Sequence, residues 1–135
     1  MRCGKDNFIN ELEGIFNLKN LEECCNIVFI FSALTLGNGD KILGNLLMET
    51  YLHAITELDL LPKTIILYNE AVLFSIDSSK ENIYMKKLQN RGVEILICNT
   101  SARYYNIYKK INIGQTVSMK TIIEKKMAAT KLILL

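Results

Sequence analysis

What most constrains this sequence is an alternation between short β-branched or aromatic runs and longer stretches with helical periodicity. Asn26 to Ser32 is a continuous apolar run that suits a strand covered on both faces. From Asp40 to Leu58, Leu43, Leu46, Leu47, Ala54, Ile55 and Leu58 recur at helical spacing, and Pro62 marks the exit. Thr64 to Tyr68 reads as a second strand, residues 80–90 as a helix, and Val93 to Cys98 as a third strand, with Gly92 at the helix-to-strand turn. The pattern continues with a helix over Ala102 to Lys110, another over Met119 to Met127, and a closing strand over Lys131 to Leu135. Alternation of this kind calls for right-handed crossovers and an α/β fold, a doubly wound parallel sheet with helices on both faces.

At 135 residues, half of them apolar, the chain can bury one core unaided, so a single domain is expected over residues 26–135. Residues 1–25 read as an N-terminal extension. Phe8, Leu12, Ile15 and Phe16 there are spaced for an amphipathic helix, which Gly4, Gly14 and several asparagines weaken. The longest apolar stretch, Ile27 to Leu36, is interrupted by Ser32 and Thr35 and is too short to cross a bilayer. No uninterrupted apolar segment follows Arg2 and Lys5, so the expectation is a cytoplasmic protein with no membrane partner. Cys3, Cys24, Cys25 and Cys98 have neither the spacing of a disulfide framework nor that of a paired zinc site, which favours reduced thiols and no metal. No cofactor is expected.

Charge is unevenly distributed. Met1 to Leu67 carries five basic and nine acidic residues, whereas Tyr68 to Leu135 carries eleven and five. The excess could attract an anion, but lysine-rich helix faces are ordinarily just solvated. Aromatic residues are not interleaved with the basic ones as a nucleic-acid groove requires, so no nucleic-acid partner is expected.

Ligands on parallel sheets collect beyond the carboxyl ends of the strands, which singles out the loops Thr35 to Asp40, Asn69 to Phe74 and Asn99 to Ala102. In the first, Gly37, Asn38 and Gly39 could bring backbone amides to an anion, but Ile42 stands where a dinucleotide fingerprint needs glycine. A tight turn with Asp40 at the helix start is the plainer reading. Cys98 ends a strand, and its sulfur would face the start of the next helix beside Arg103, a setting that favours a nucleophilic thiolate; burial as a packing residue is the alternative. His53 is the only histidine, far in sequence from Cys98, and reads as a helix boundary residue.

The same loops resemble those of the DsrE/DsrF-like proteins, and within them the C-terminal domain of the YedF-type proteins of sulfur or selenium metabolism. Gly37-Asn38-Gly39-Asp40-Lys41-Ile42-Leu43-Gly44 is similar to the family's G-x-G-x-x-x-L-G, and Leu61-Pro62 and Asn69 with Ala71-Val72 follow in order. Gly92-Val93-Glu94-Ile95 leading into Cys98-Asn99-Thr100-Ser101 resembles G-V-E-I leading into C-G-T-C. The resemblance implies a three-layer, flavodoxin-like domain of about five strands, often oligomeric, in which a strand-end cysteine carries sulfur as a persulfide. Cys98 takes the place of the first motif cysteine and Ser101 that of the second, so exchange between two motif cysteines is impossible here. Asn99 and Ala71 stand where the family has glycine, Val117-Ser118-Met119 keeps only part of S-N-M, and the C-P-x-P carrier motif is not found in residues 1–25.

Three readings follow. Cys98 is the catalytic thiol of a sulfur relay protein, with Gly37, Asn38, Gly39, Asn69, Asn99, Thr100 and Ser101 as binding residues. Alternatively the chain is a non-catalytic DsrE-like subunit, or a small-molecule or anion-binding module. The expected partners are further copies of the chain and a protein that donates or accepts sulfur.

Overall fold

The computed structural model describes residues 26–135. The extension expected over residues 1–25, with Cys3, Cys24 and Cys25, lies outside them. In chain order the elements are β1 (Ile27–Phe31), α1 (Lys41–Thr56), β2 (Thr64–Leu67), a 3-10 helix (Asn69–Ser75), α2 (Asn82–Asn90), β3 (Glu94–Cys98), α3 (Asn99–Tyr104), β4 (Gln115–Val117), α4 (Met119–Ala128) and β5 (Lys131–Leu134). The five strands form one sheet in the order β4-β3-β2-β1-β5, every pair parallel. The expected α/β architecture is therefore present.

The order determines the layers. Right-handed crossovers from β1 through β4 step the same way across the sheet and place α1, α2 and α3 on one face. The return to β5 steps the other way and places α4 on the opposite face. Side chains agree with this division. Phe29 and Phe31 meet Tyr51 of α1, whereas Glu94, in register with Thr64 and so with Val28, reaches Lys125 of α4 at 3.0 Å. Alternation along each strand then puts Val28, Ile30, Ile66, Leu96 and Cys98 on the α4 side.

β1, β2 and β3 are continuous apolar runs because both of their faces are covered, and from Val28, Thr64 and Ile95 onward every residue in them is buried. Phe31 is fully buried at the centre, with the rings of Tyr51 and Phe74 edge-on at 6.3 Å and Phe29 tilted at 6.4 Å. α1 turns Gly44, Met48, Leu52 and Ile55 inward, α2 buries Met85 and Leu88, and the two helices meet where Tyr84 of α2 reaches Glu49 and His53 of α1.

Helix ends are set by local chemistry. Asp40 Oδ1 accepts from the amides of Ile42 and Leu43 at 2.8 and 3.0 Å, so it is the N-cap of α1, as its position suggested. α2 ends on Gly92 at φ +98°, where Val93 N–H donates to Leu88 O and Gly92 N–H to Gln89 O. That is a Schellman turn at the glycine expected to make it.

Three segments differ from expectation. The helix expected over 102–110 begins at Asn99 and is over by Tyr104, because Asn106 adopts φ +55° and forms a second Schellman turn: Ile107 N–H donates to Ala102 O, and Asn106 N–H to Arg103 O. The segment Asn69 to Phe74, expected as a loop, lies in a 3-10 helix, Asn69–Ser75, that buries Ala71, Val72, Phe74 and Ser75. β4 was not expected at all. Gln115–Val117 is only three residues long, and none of them is buried.

Candidate functional site at the carboxyl edge of the sheet

The loops after β1, β2 and β3 all emerge at the carboxyl ends of the strands, but they do not form one site. The loop after β1 is folded onto its own helix. Leu36 N–H donates to Gly44 O at 3.0 Å, and a Cβ at Gly44 would lie 2.8 Å from that of Thr35, so glycine permits the close approach. Gly37 takes φ +83° and, with Asn38 and Gly39, stands exposed. Two of the first amides of α1 already donate to Asp40, which weakens the anion-binding reading of this turn.

The loops after β2 and β3 do come together. Asn69, at φ +56°, donates its backbone N–H to Ser101 Oγ at 2.8 Å. An open cleft of about 400 Å³ lies over this contact, lined by Asn69, Thr100, Ser101, Tyr104 and Tyr105. Asn69, Thr100 and Ser101 are thus neighbours, whereas Gly37, Asn38 and Gly39 do not line the cleft. The two tyrosines were not among the expected site residues. Their rings meet edge-on at 5.1 Å, and Tyr104 is largely exposed. Tyr105 directly follows α3 as its C-cap, a place that becomes legible only once the helix is known to end so early.

Cys98 precedes Thr100 of the cleft wall by two residues in the chain. It ends β3, paired with Val117 of β4, and is the N-cap of α3, with no side-chain hydrogen bond closing the cap. It is 2% exposed, on the α4 side of the sheet, and is not part of the cleft wall. The next residue, Asn99, has its Oδ1 shielded from solvent without a hydrogen-bond partner. His53 is exposed on α1, stacked edge-on against Tyr84 and 3.9 Å from Glu57. Burial raises the Tyr51 pKa, and burial followed by the charge of Glu49 raises that of Tyr84; both residues sit on α1 and α2 rather than in the cleft.

The crevice between β1 and β5, where the winding reverses and open α/β sheets often bind ligands, is bridged here. Ser32 Oγ approaches Leu135 O at 3.5 Å, and Leu135 N–H donates to Ile30 O at 2.9 Å. Among the described residues, no group of three or more His, Cys, Asp or Glu side chains is placed to hold a metal, and no helix is long and apolar enough to cross a membrane.

A five-stranded, all-parallel α/β domain of this kind has a YchN-like, DsrE-like fold. Two solved structures are similar to it over four-fifths of the chain and nearly the whole of their own length. The YchN protein from E. coli matches with a TM-score of 0.57 and 16% identity, covering 82% of this chain and 98% of that one. MTH1491 from Methanobacterium thermoautotrophicum, a protein of unknown function, matches with a TM-score of 0.58 and 16% identity, covering 81% and 97%. No family model matches the sequence, and no curated protein matches it.

Proposed function

We propose that the chain is a DsrE-like sulfur relay protein of the YedF type, in which Cys98 carries sulfane sulfur as a persulfide. The observation that carries this reading is the position of Cys98, at the carboxyl end of β3 and two residues before Thr100 in the wall of the cleft. Transfer needs one thiolate and no net redox change. Cys98 Sγ attacks the outer sulfur of a donor persulfide, the donor S–S bond breaks, and its electron pair leaves on the donor thiolate. An acceptor thiolate then takes the same outer sulfur from Cys98 and restores it. Because Cys98 faces the α4 side of the sheet, access requires local opening at the edge formed by β4, the three-residue strand with no buried residue whose Val117 pairs with Cys98.

Burial favours a second reading, a non-catalytic DsrE-like module in which Cys98 is a packing residue. Mass spectrometry after exposure of the native protein to polysulfide separates the two. The relay reading expects one added sulfur on Cys98, released by a thiol, with loading lost in Cys98→Ser and kept in Ser101→Ala. A Cys98 that reacts only in denaturant selects the non-catalytic module.

We further propose self-association through α1. Ile42, Leu43, Leu46 and Leu47 are all exposed, Ile42 by 81%, and lie together on one side of α1 as a contiguous apolar patch of the kind that marks an interaction surface. No charge interrupts the patch between Ile42 and Leu47, so nothing in it disfavours a second copy of itself across a two-fold axis. Sedimentation is expected to show a dimer or larger assembly, and Leu46→Glu a monomer. A monomer at all concentrations in the parent protein would refute this.

A further inference from the structure

The face of the sheet that carries α4 is incompletely covered. Lys125 reaches Glu94 on β3, and residues two apart on a helix point about 200° apart, so Ile123 and Met127 lie on the opposite flank of α4, toward β1 and β5. Met119, Ile123 and Met127 follow one another at intervals of four along that flank and are exposed, Met127 by 82%. On the same side of the sheet, in register with the buried Val28 and Ile30, β5 presents Leu132 and Leu134, the latter 65% exposed. An apolar trough therefore runs between α4 and the β5 edge.

The chain enters the domain at the end of this trough. Asn26 Nδ2 donates to Ala128 O at 3.2 Å, and Thr130 N–H donates to Asn26 O at 2.9 Å, which fixes the point of entry between the last turn of α4 and the start of β5. Residues 1–25 carry Phe8, Leu12, Ile15 and Phe16 at helical spacing, followed by nine residues before Asn26, enough extended chain to turn back along the trough. Charges are complementary: residues 1–25 hold five acidic and three basic side chains, whereas residues 118–135 hold Lys120, Lys125, Lys126 and Lys131 against Glu124 alone.

We infer that residues 8–16 dock as an amphipathic helix on the trough formed by Ile123, Met127, Leu132 and Leu134, completing the α4 layer from within the same chain. This does not depend on any role for Cys98. Methyl NOEs from Leu12 and Ile15 to Ile123, Leu132 and Leu134 test it in the full chain, with a mixture of differently labelled copies separating contacts within a chain from contacts between chains. NOEs within one chain are expected. Leu12→Asp and Leu134→Asp should each lower Tm by on the order of 5 °C, and the double variant by little more than either alone. Absence of these NOEs, NOEs only between copies, or additive Tm losses would overturn the inference.

Discussion

Gly114→Ala is expected to destabilise the fold by about 3 kcal/mol or more, combining an unfavourable left-handed backbone with overpacking. Gly114 adopts φ +69° just before β4, and a Cβ there would lie 2.5 Å from the carbonyl oxygen of Ile95 and 3.1 Å from its side chain. Ile95 cannot yield easily. Its strand is held in register on one side by β2 and on the other by β4. Movement of Gly114 would also disturb its own N–H, which donates to Gln89 Oε1 at 2.6 Å. Urea denaturation checks this through a lowered midpoint at unchanged slope. A loss below about 1 kcal/mol would show that the turn relaxes without disturbing β3.

Phe31→Ala should cost about 3–5 kcal/mol, the range for a large aromatic removed from a packed core. Phe31 is the point at which β1, α1 and the 3-10 helix meet, through Tyr51 and Phe74. Its loss leaves a cavity bounded by separate elements that cannot all close on it. Phe31→Leu should cost distinctly less, since much of the volume remains. Equal losses for the two variants in thermal or chemical denaturation would mean that the ring contacts matter more than the space they fill.

What was legible in the sequence followed from covered surface. β1, β2 and β3 are covered on both faces, so past Thr64 and Glu94 nothing polar interrupts them and their apolar runs announce them. β5 lies at an edge yet keeps Leu132, Ile133 and Leu134, and it was expected as well. β4 lies at the other edge with Gln115 and Thr116 in a three-residue strand, which leaves no pattern to read. The early end of α3 had one available signal, Asn106, because asparagine tolerates the left-handed conformation better than most residues. The same logic governed the site. Asn69, Thr100 and Ser101 were legible together because two neighbouring parallel strands must release their loops side by side. Gly37 and Gly39 suggested a cradle, against which Asp40 at the helix start already counted; what the sequence could not show is that Gly44 would draw the loop back onto α1.

The pairing of β1 with β5 has a consequence for synthesis. Asn26 and Thr130, which join the two strands at their bases, are 104 positions apart, whereas β1 meets β2 after a single helix. During translation β1, β2 and β3 can therefore condense with α1 and α2 while the outer edge of β1 still waits for a partner made much later. Throughout that interval Ile27 to Phe31 presents a row of unpaired backbone groups flanked by aromatic and β-branched side chains, a ready template for a strand from another nascent chain. Slow elongation or a stall after β3 would lengthen that exposure, so the yield of folded protein should depend more on how quickly residues 118–135 emerge than on any comparable stretch before them.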